Sequence, residues 1–182
     1  MMEAHQNSIY SVTEKMDLAI IAPDGKQGMI DHSRDCYEKN IPVLFDPGQG
    51  LPMFNKNELE EFISQAKYIA LNSYEAEMML KVTGLDIRKL SSKVDALIIT
   101  RGSEGSTIYT DKEINIPPIH VEKPIDPTGC GDAYRAGLIY GITNYDLVEI
   151  AKSNVSISNI DVWLGKDKTI DVHVKEDIYK TI

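Results

Sequence analysis

Short apolar runs alternate with helix-like segments over the first hundred residues, and this alternation restricts the folds that the chain can adopt. The apolar runs, each suited to one buried strand, are residues 18–22, 42–46, 68–71 and 96–100. Between them, apolar side chains recur at helical spacing, as in the segment 57–67, for which Asn57 is the predicted N-cap. Strands and helices in this order form right-handed βαβ units, so we predict a parallel sheet covered on both faces.

The pattern changes after residue 100. We predict an antiparallel edge made of short strands at residues 106–109, 113–116 and 119–122. A helix is predicted to run from Asp132 to about Ile142, followed by a helix over 147–159 and a polar tail that contains Trp163. Because no repeat, low-complexity stretch or linker divides the sequence, residues 1–182 are predicted to form a single α/β domain of three layers.

Charge and cysteine usage exclude several functional classes. The formal net charge is −9 and no basic run is present, which argues against a nucleic-acid or anionic-membrane surface. No apolar run approaches the roughly 20 residues of a membrane span, and the polar N-terminus does not resemble a signal peptide. Cys36 and Cys130 are isolated thiols, which favours a reducing cytoplasm, and the scattered histidines do not have the spacing of a zinc site.

A glycine turn at residues 129–131 precedes the helix that carries Asp132. The first N–H groups of a helix lack intrahelical partners, and glycine lets an anion approach them closely. Asp132, in the first turn, could accept the proton of an attacking hydroxyl, so the turn has the minimum apparatus for phosphoryl transfer. The alternative is an ordinary helix start. Cys130 is interpreted as a small filler in the turn, and a nucleophilic thiol is the alternative interpretation of this residue.

Two further segments follow predicted strands, where ligands bind in open α/β sheets. Residues 100–105 contain Gly102 and Gly105, whose backbone could reach nucleotide phosphates, although a plain turn would have the same composition. Arg101 in this segment has two interpretations, a phosphate contact or a surface residue. Asn72 and Glu75 have the spacing of a helix capping box, and a cap at a strand end would face the same crevice.

Two common nucleotide-binding motifs are absent. A P-loop requires lysine followed by serine or threonine directly after its second glycine, and no glycine here has these neighbours. A dinucleotide fingerprint that begins at Gly129 and Gly131 would require a small residue at position 134, where Tyr134 stands.

The stretch from residue 126 to residue 137 resembles the C-terminal signature of the PfkB (ribokinase-like) family of sugar and nucleoside kinases, commonly D-T-x-G-A-G-D; here it reads DPTGCGDAYRAG. The resemblance implies a ribokinase-like fold and ATP- and Mg²⁺-dependent transfer of the γ-phosphoryl group to a hydroxyl of a sugar or nucleoside. It implies that Asp132 is the general base and that Gly129, Cys130 and Gly131 form the anion hole.

The resemblance also assigns roles at the other strand ends. Asn72 and Glu75 match the N-x-x-E motif that organises magnesium through water. The nucleotide-lining positions that it implies are Thr100, Gly102, Gly105, Asn72 and Thr128.

The resemblance extends over residues 18–142. The strings HQNSIYSV, APDGKQGMIDH and FDPGQGLPMF are most similar to the bacterial branch labelled adenosine kinase or PfkB-type carbohydrate kinase. We therefore expect an N-terminally truncated kinase without the early strands, the lid and the acceptor-gripping residues. Residues 155–160 also depart from the alanine-rich helix of the family.

The expected truncation leaves a second hypothesis open, a non-catalytic remnant that binds nucleotide at most or needs a partner chain. An incomplete sheet would expose an unpaired edge, which invites association with a second copy. The acceptor, whether adenosine or a ribose- or fructose-like sugar, is not specified by the residues present.

Overall fold

The computed structural model describes residues 8–118, 129–144, 160–164 and 170–174. The chain divides into two compact units, Met1–Asn115 and Ile116–Ile182, and each is described here by itself. The single-domain organisation expected for residues 1–182 stays a prediction.

The first unit contains a sheet whose strands follow one another in chain order. The last strand of this sheet ends at the boundary between the two units. The strands of the sheet are β1 (Ala19–Ile21), β2 (Val43–Phe45), β3 (Tyr68–Asn72), β4 (Ala96–Thr100), β5 (Ser106–Tyr109) and β6 (Glu113–Ile116). The helices are α1 (Lys26–Glu38), α2 (Lys56–Gln65), α3 (Ser73–Thr83) and α4 (Ile87–Ser91), and 3-10 turns occupy Ile9–Ser11, Gly48–Met53 and Gly102–Glu104.

The strand directions agree with the sequence pattern. Strands β1 to β4 pair in parallel, and β5 pairs antiparallel with β4. The expected α/β class, the parallel sheet and the antiparallel strand β5 beside it are confirmed, and β6 is observed at the predicted residues.

The main core lies between the sheet and the helices α1, α2 and α3. Phe45, Ile69 and Leu97 stand side by side on the helix-facing side of the sheet and are fully buried. Phe45 stacks on Phe62 of α2 with ring centroids 4.4 Å apart. Residues of the opposite parity, such as Ile98, are also buried, because parallel strands of an α/β protein are apolar on both faces.

Helix α2 begins two residues earlier than the sequence pattern suggested. Its N-cap is Asn55, whose side-chain oxygen accepts the N–H of Glu58, while Glu58 accepts the N–H of Asn55. The prediction of Asn57 as N-cap was wrong. Asn55 and Asn57 each have a glutamate three residues later, and the structure uses the first of these two pairs, which places Asn57 inside the first turn of α2.

Described residues of the second unit form one helix and one strand pair. Helix α5 spans Cys130–Asn144, and β7 (Ile160–Leu164) pairs antiparallel with β8 (Ile170–Val174). Trp163 therefore lies in a strand, and the predicted polar tail was wrong at this point. Apolar residues alternate along both segments, and this period of two favours strands. The predicted strand at 119–122 and helix at 147–159 lie outside the described residues.

Helices long and apolar enough to cross a membrane are not found in the part of the chain that the structure describes.

Candidate active site

The carboxyl ends of β3 and β4 bring two predicted site residues together. Asn72, the last residue of β3, is the register partner of Thr100, the last residue of β4. The hydroxyl of Ser73 donates to the carbonyl of Thr100 over 3.3 Å, and the hydroxyl of Thr100 donates to the carbonyl of Leu71 over 3.5 Å. These bonds tie the start of α3 to the end of β4, where open α/β sheets bind ligands.

Asn72 and Glu75 form the capping box expected from their spacing. The carboxylate of Glu75 accepts the backbone N–H of Asn72 over 2.8 Å and its side-chain N–H over 2.6 Å. The N–H of Glu75 donates in return to Oδ1 of Asn72 over 2.9 Å. Glu75 is only 8% exposed, so the pair presents a fixed polar group at the strand end.

The loop after β4 is a tight turn that depends on glycine. The N–H of Arg101 donates to the carbonyl of Gly105 over 2.7 Å, which closes the loop on itself. Gly102 and Gly105 have φ values of +55° and +84°, a region that residues with a Cβ rarely adopt. Apart from its chain neighbours, no atom of the described residues lies within 4 Å of where a Cβ on Gly102 would be, so this part of the loop leaves its backbone accessible to a ligand.

The Arg101 side chain lies against the sheet, which neither sequence interpretation anticipated. Its guanidinium donates to the hydroxyl of Thr107 and, over 3.2 Å, to the hydroxyl of Tyr109. Thr107 is fully buried and donates in turn to Oδ1 of Asn115 over 2.7 Å. Arg101 therefore links the glycine loop to β5 and β6.

The second unit contains the glycine turn of the sequence signature. Gly129 has a φ of +82°, and its carbonyl accepts the N–H of Ala133 over 2.9 Å at the start of α5. Among the described residues, and apart from the adjoining ones in the chain, no atom lies within 4 Å of the position that a Cβ on Gly129 would occupy. Cys130 is exposed, and the side chain of Asp132 is 83% exposed, so an open turn stands beside an accessible carboxylate.

Arg135 is a residue of this turn that sequence reasoning missed. Its Nη1 lies 3.3 Å from Oδ1 of Asp132, one helical turn earlier. A Cβ on Gly131 would come within 2.7 Å of the same nitrogen, so the guanidinium lies directly against the turn. The three-residue spacing of an aspartate and an arginine on one helix was the signal that could have indicated this pair.

The predicted site residues thus fall into two groups. Asn72, Glu75, Thr100 and the loop with Gly102 and Gly105 lie at the strand ends of the first unit, and residues 129–132 open α5 in the second. Thr128 lies outside the described residues. The roles assigned to all of these residues stay predictions.

The described residues are compatible with a magnesium ion bound through water molecules and phosphate rather than by direct protein ligands. Within residues 8–118, 129–144 and the two short strands that follow, no three histidine, cysteine, aspartate or glutamate side chains come together as a metal site. Both oxygens of Glu75 accept hydrogen bonds from Asn72. Mg²⁺ commonly keeps several waters and takes phosphate oxygens as ligands, so a dedicated protein cage is not required.

Comparison with known proteins places this geometry in a family. Residues 6–160 match the pfkB family carbohydrate kinase model. The chain is 44% identical over 117 residues to a nucleoside kinase of Methanocaldococcus jannaschii, covering 63% of this chain and 38% of the relative. It is 27% identical over 140 residues to a ribokinase of Bacillus subtilis, covering 76% of this chain and 45% of the relative.

Among solved structures, the nucleoside kinase of Burkholderia thailandensis in complex with ADP-inosine superposes with a TM-score of 0.72. The two are 47% identical, and the match covers 75% of this chain and 43% of that one. The chain belongs to the pfkB family of carbohydrate kinases, and its fold is ribokinase-like. It spans less than half the length of the relatives named here.

Proposed function

We propose that this chain is a phosphotransferase that moves the γ-phosphoryl group of ATP to a hydroxyl of a nucleoside or sugar. The observation that carries the proposal is the open glycine turn at the start of α5, with the exposed carboxylate of Asp132 in the first helical turn. Membership of a kinase family supports a phosphate, rather than another anion, as the ligand of this turn.

Each predicted residue has a chemical task in this proposal. Asp132 takes the proton of the acceptor hydroxyl as the new bond to phosphorus forms. The N–H groups of residues 129–131 stabilise the charge on the transferring group, because a helix start is electropositive. Magnesium, when bound, neutralises phosphate charge, and Asn72 and Glu75 orient the water around it. Thr100, Gly102, Gly105 and Thr128 line the nucleotide.

A nucleoside is the acceptor that the comparisons favour. The Burkholderia relative is described as a nucleoside kinase in complex with ADP-inosine, which supports ATP as donor and a purine nucleoside as acceptor here. The B. subtilis relative is a ribokinase, so sugars remain in the acceptor class. These relatives do not single out the adenosine kinase-like branch, and adenosine is therefore one acceptor to test among several.

The partial coverage of the relatives favours a second candidate function. Because the chain spans less than half of each relative named above, nucleotide binding without turnover, or activity only with a partner chain, is the alternative function. Turnover by the purified chain decides between the two.

The test is phosphoryl transfer from labelled ATP with magnesium to inosine, adenosine, cytidine, ribose and fructose. We expect turnover with at least one nucleoside and a loss of at least about a hundredfold in Asp132→Asn, the scale of general-base catalysis. Asp86→Asn is the matched control, because Asp86 caps α4 and asparagine caps equally well. No turnover in the unaltered chain would refute the isolated chain as an enzyme.

A further inference from the structure

The guanidinium of Arg135 lies against the first turn of α5 rather than extending into solvent. Its Nη1 is 3.3 Å from Oδ1 of Asp132 and 2.7 Å from the position that a Cβ on Gly131 would occupy. The Arg135 side chain is 27% exposed, whereas that of Asp132 is 83% exposed.

Asp132 creates an electrostatic conflict at this turn. The proposed reaction brings a phosphate to the start of α5, but a carboxylate in the first turn repels it and cancels much of the attraction of the helix dipole. The chain as a whole is acidic, with a net charge of −9, and adds no favourable background. Arg135 is the only lysine or arginine in the described part of the second unit, residues 129–144, 160–164 and 170–174.

We propose that Arg135 is a positioning residue that compensates the charge of Asp132, so that a carboxylate and a phosphate can occupy the same turn. This inference rests on the proposed function, since the phosphate is the group to be transferred. A guanidinium suits the task because its planar fork contacts a carboxylate and a phosphate in the same way.

Cys130 provides a probe of the charge at this turn that needs no catalytic activity. Its exposed thiol lies between Gly129 and Gly131, whereas Cys36 is fully buried. Iodoacetate is an anion and iodoacetamide is neutral, and both react with the same thiolate. The ratio of their rates at Cys130 therefore reports the local potential, independently of how reactive the thiolate itself is. The Cys130→Ser variant lacks this thiol, and the labelling that it loses is therefore the labelling of Cys130.

The rate ratio is the iodoacetate rate divided by the iodoacetamide rate at Cys130. It is measured by mass spectrometry at low salt in the unaltered chain and four variants. We expect Arg135→Gln to lower it about two- to threefold, the effect of one nearby charge in a water-like medium. Arg135→Lys should restore it, Asp132→Asn should raise it, and the double variant Asp132→Asn/Arg135→Gln should return it to the original value. An unchanged ratio in Arg135→Gln would overturn the inference.

Kinetics supply the second readout wherever the unaltered chain turns over. Arg135→Gln should raise the KM for ATP several-fold and change kcat less, and Arg135→Lys should restore the KM, which a purely structural role would not produce. An unchanged KM in Arg135→Gln contradicts the inference. Absence of turnover in the unaltered chain counts against the proposed function alone, because the labelling result still decides the role of Arg135.

Discussion

Asn72 and Glu75 hold each other at the start of α3 by three hydrogen bonds. Two run from the backbone and side-chain N–H groups of Asn72 to the carboxylate of Glu75, over 2.8 and 2.6 Å, and the third returns from the N–H of Glu75 over 2.9 Å. Asn55 and Glu58 form the same reciprocal box at the start of α2. The chain therefore contains a functional candidate and a matched control in one motif.

Glu75→Gln should lower the free energy of unfolding by about 1 kcal/mol, the usual scale for a lost helix cap. The cause is that glutamine has one acceptor oxygen and points an N–H group at a donor of Asn72, in a site where residue 75 is only 8% exposed. We also expect phosphoryl transfer to fall at least tenfold, because the fixed polar group at the strand end is lost. Urea unfolding and the labelled-ATP assay measure the two effects.

Glu58→Gln is the control for that experiment. It breaks the equivalent box and also weakens the contact of Glu58 with Lys26, 2.8 Å away, so a comparable stability loss is expected. Phosphoryl transfer should be unchanged. If Glu58→Gln reduced turnover as much as Glu75→Gln, the role proposed for Glu75 would reduce to stabilising its helix.

Gly102→Ala should weaken ATP binding, with Gly84→Ala as its control. Both glycines have positive φ values, +55° and +75°, and an added Cβ at either position meets no atom within 4 Å in the part of the chain that the structure describes, chain neighbours aside. The strain should therefore cost each variant about 1 kcal/mol of stability for the same backbone reason. Only Gly102 belongs to the loop after β4, so only Gly102→Ala should lower ATP affinity in calorimetry. Equal affinities in the two variants would contradict the nucleotide role of the loop.

The sheet and its helices were predictable because their signals are local. The strand predicted at 96–100 is observed as Ala96–Thr100, and those predicted at 106–109 and 113–116 are observed as Ser106–Tyr109 and Glu113–Ile116. The prediction failed at Asn57 because Asn55, two residues earlier, has the same spacing to a glutamate, and the local pattern does not decide between the two. The strands β7 and β8 were missed because a polar composition was given more weight than the alternation of apolar residues.

The candidate site was predictable only in its backbone-determined parts. Strand ends and glycine turns follow from sequence order, so Asn72, Thr100 and Gly129 stand where they were expected. The side chain of Arg101 could not be placed, because its partners Thr107 and Tyr109 lie on the next strand and not at a helical or strand spacing from it. The Asp132–Arg135 pair was missed although its three-residue spacing on one helix was readable in the sequence. Both of these guanidinium groups lie against the protein.

The two cysteines should differ strongly in alkylation. Burial raises the pKa of the Cys36 thiol above its ordinary value, Asp35 adds to the rise and Lys39 opposes it, whereas Cys130 is exposed. Iodoacetamide should modify Cys130 in the folded chain and leave Cys36 unmodified until urea unfolds it. Rapid modification of Cys36 in the native chain would show that α1 opens readily.

The raised pKa of Cys36 also predicts a dependence of stability on pH. The folded state keeps the thiol proton to a higher pH than the unfolded state does, so the stabilisation is complete below the unfolded pKa, about 8.5. This stabilisation is lost as the pH rises from the pKa of the thiol in the unfolded state through its higher pKa in the folded state. Cys36→Ala should remove this contribution, and urea unfolding between pH 7 and 10 measures it. Identical pH profiles for the two proteins would contradict the prediction.

Substitution of Arg101 distinguishes a structural role of its guanidinium from a contact with the nucleotide phosphates. Arg101→Met removes the guanidinium from the hydroxyls of Thr107 and Tyr109 but keeps the backbone bond to Gly105. Because the Thr107 hydroxyl is fully buried, we expect a loss of about 1–3 kcal/mol of stability, and ATP affinity should change less than in Gly102→Ala. Arg88→Met, on the exposed side of α4, should leave both quantities unchanged. A large loss of ATP affinity without a loss of stability would mean that the guanidinium turns to contact the nucleotide.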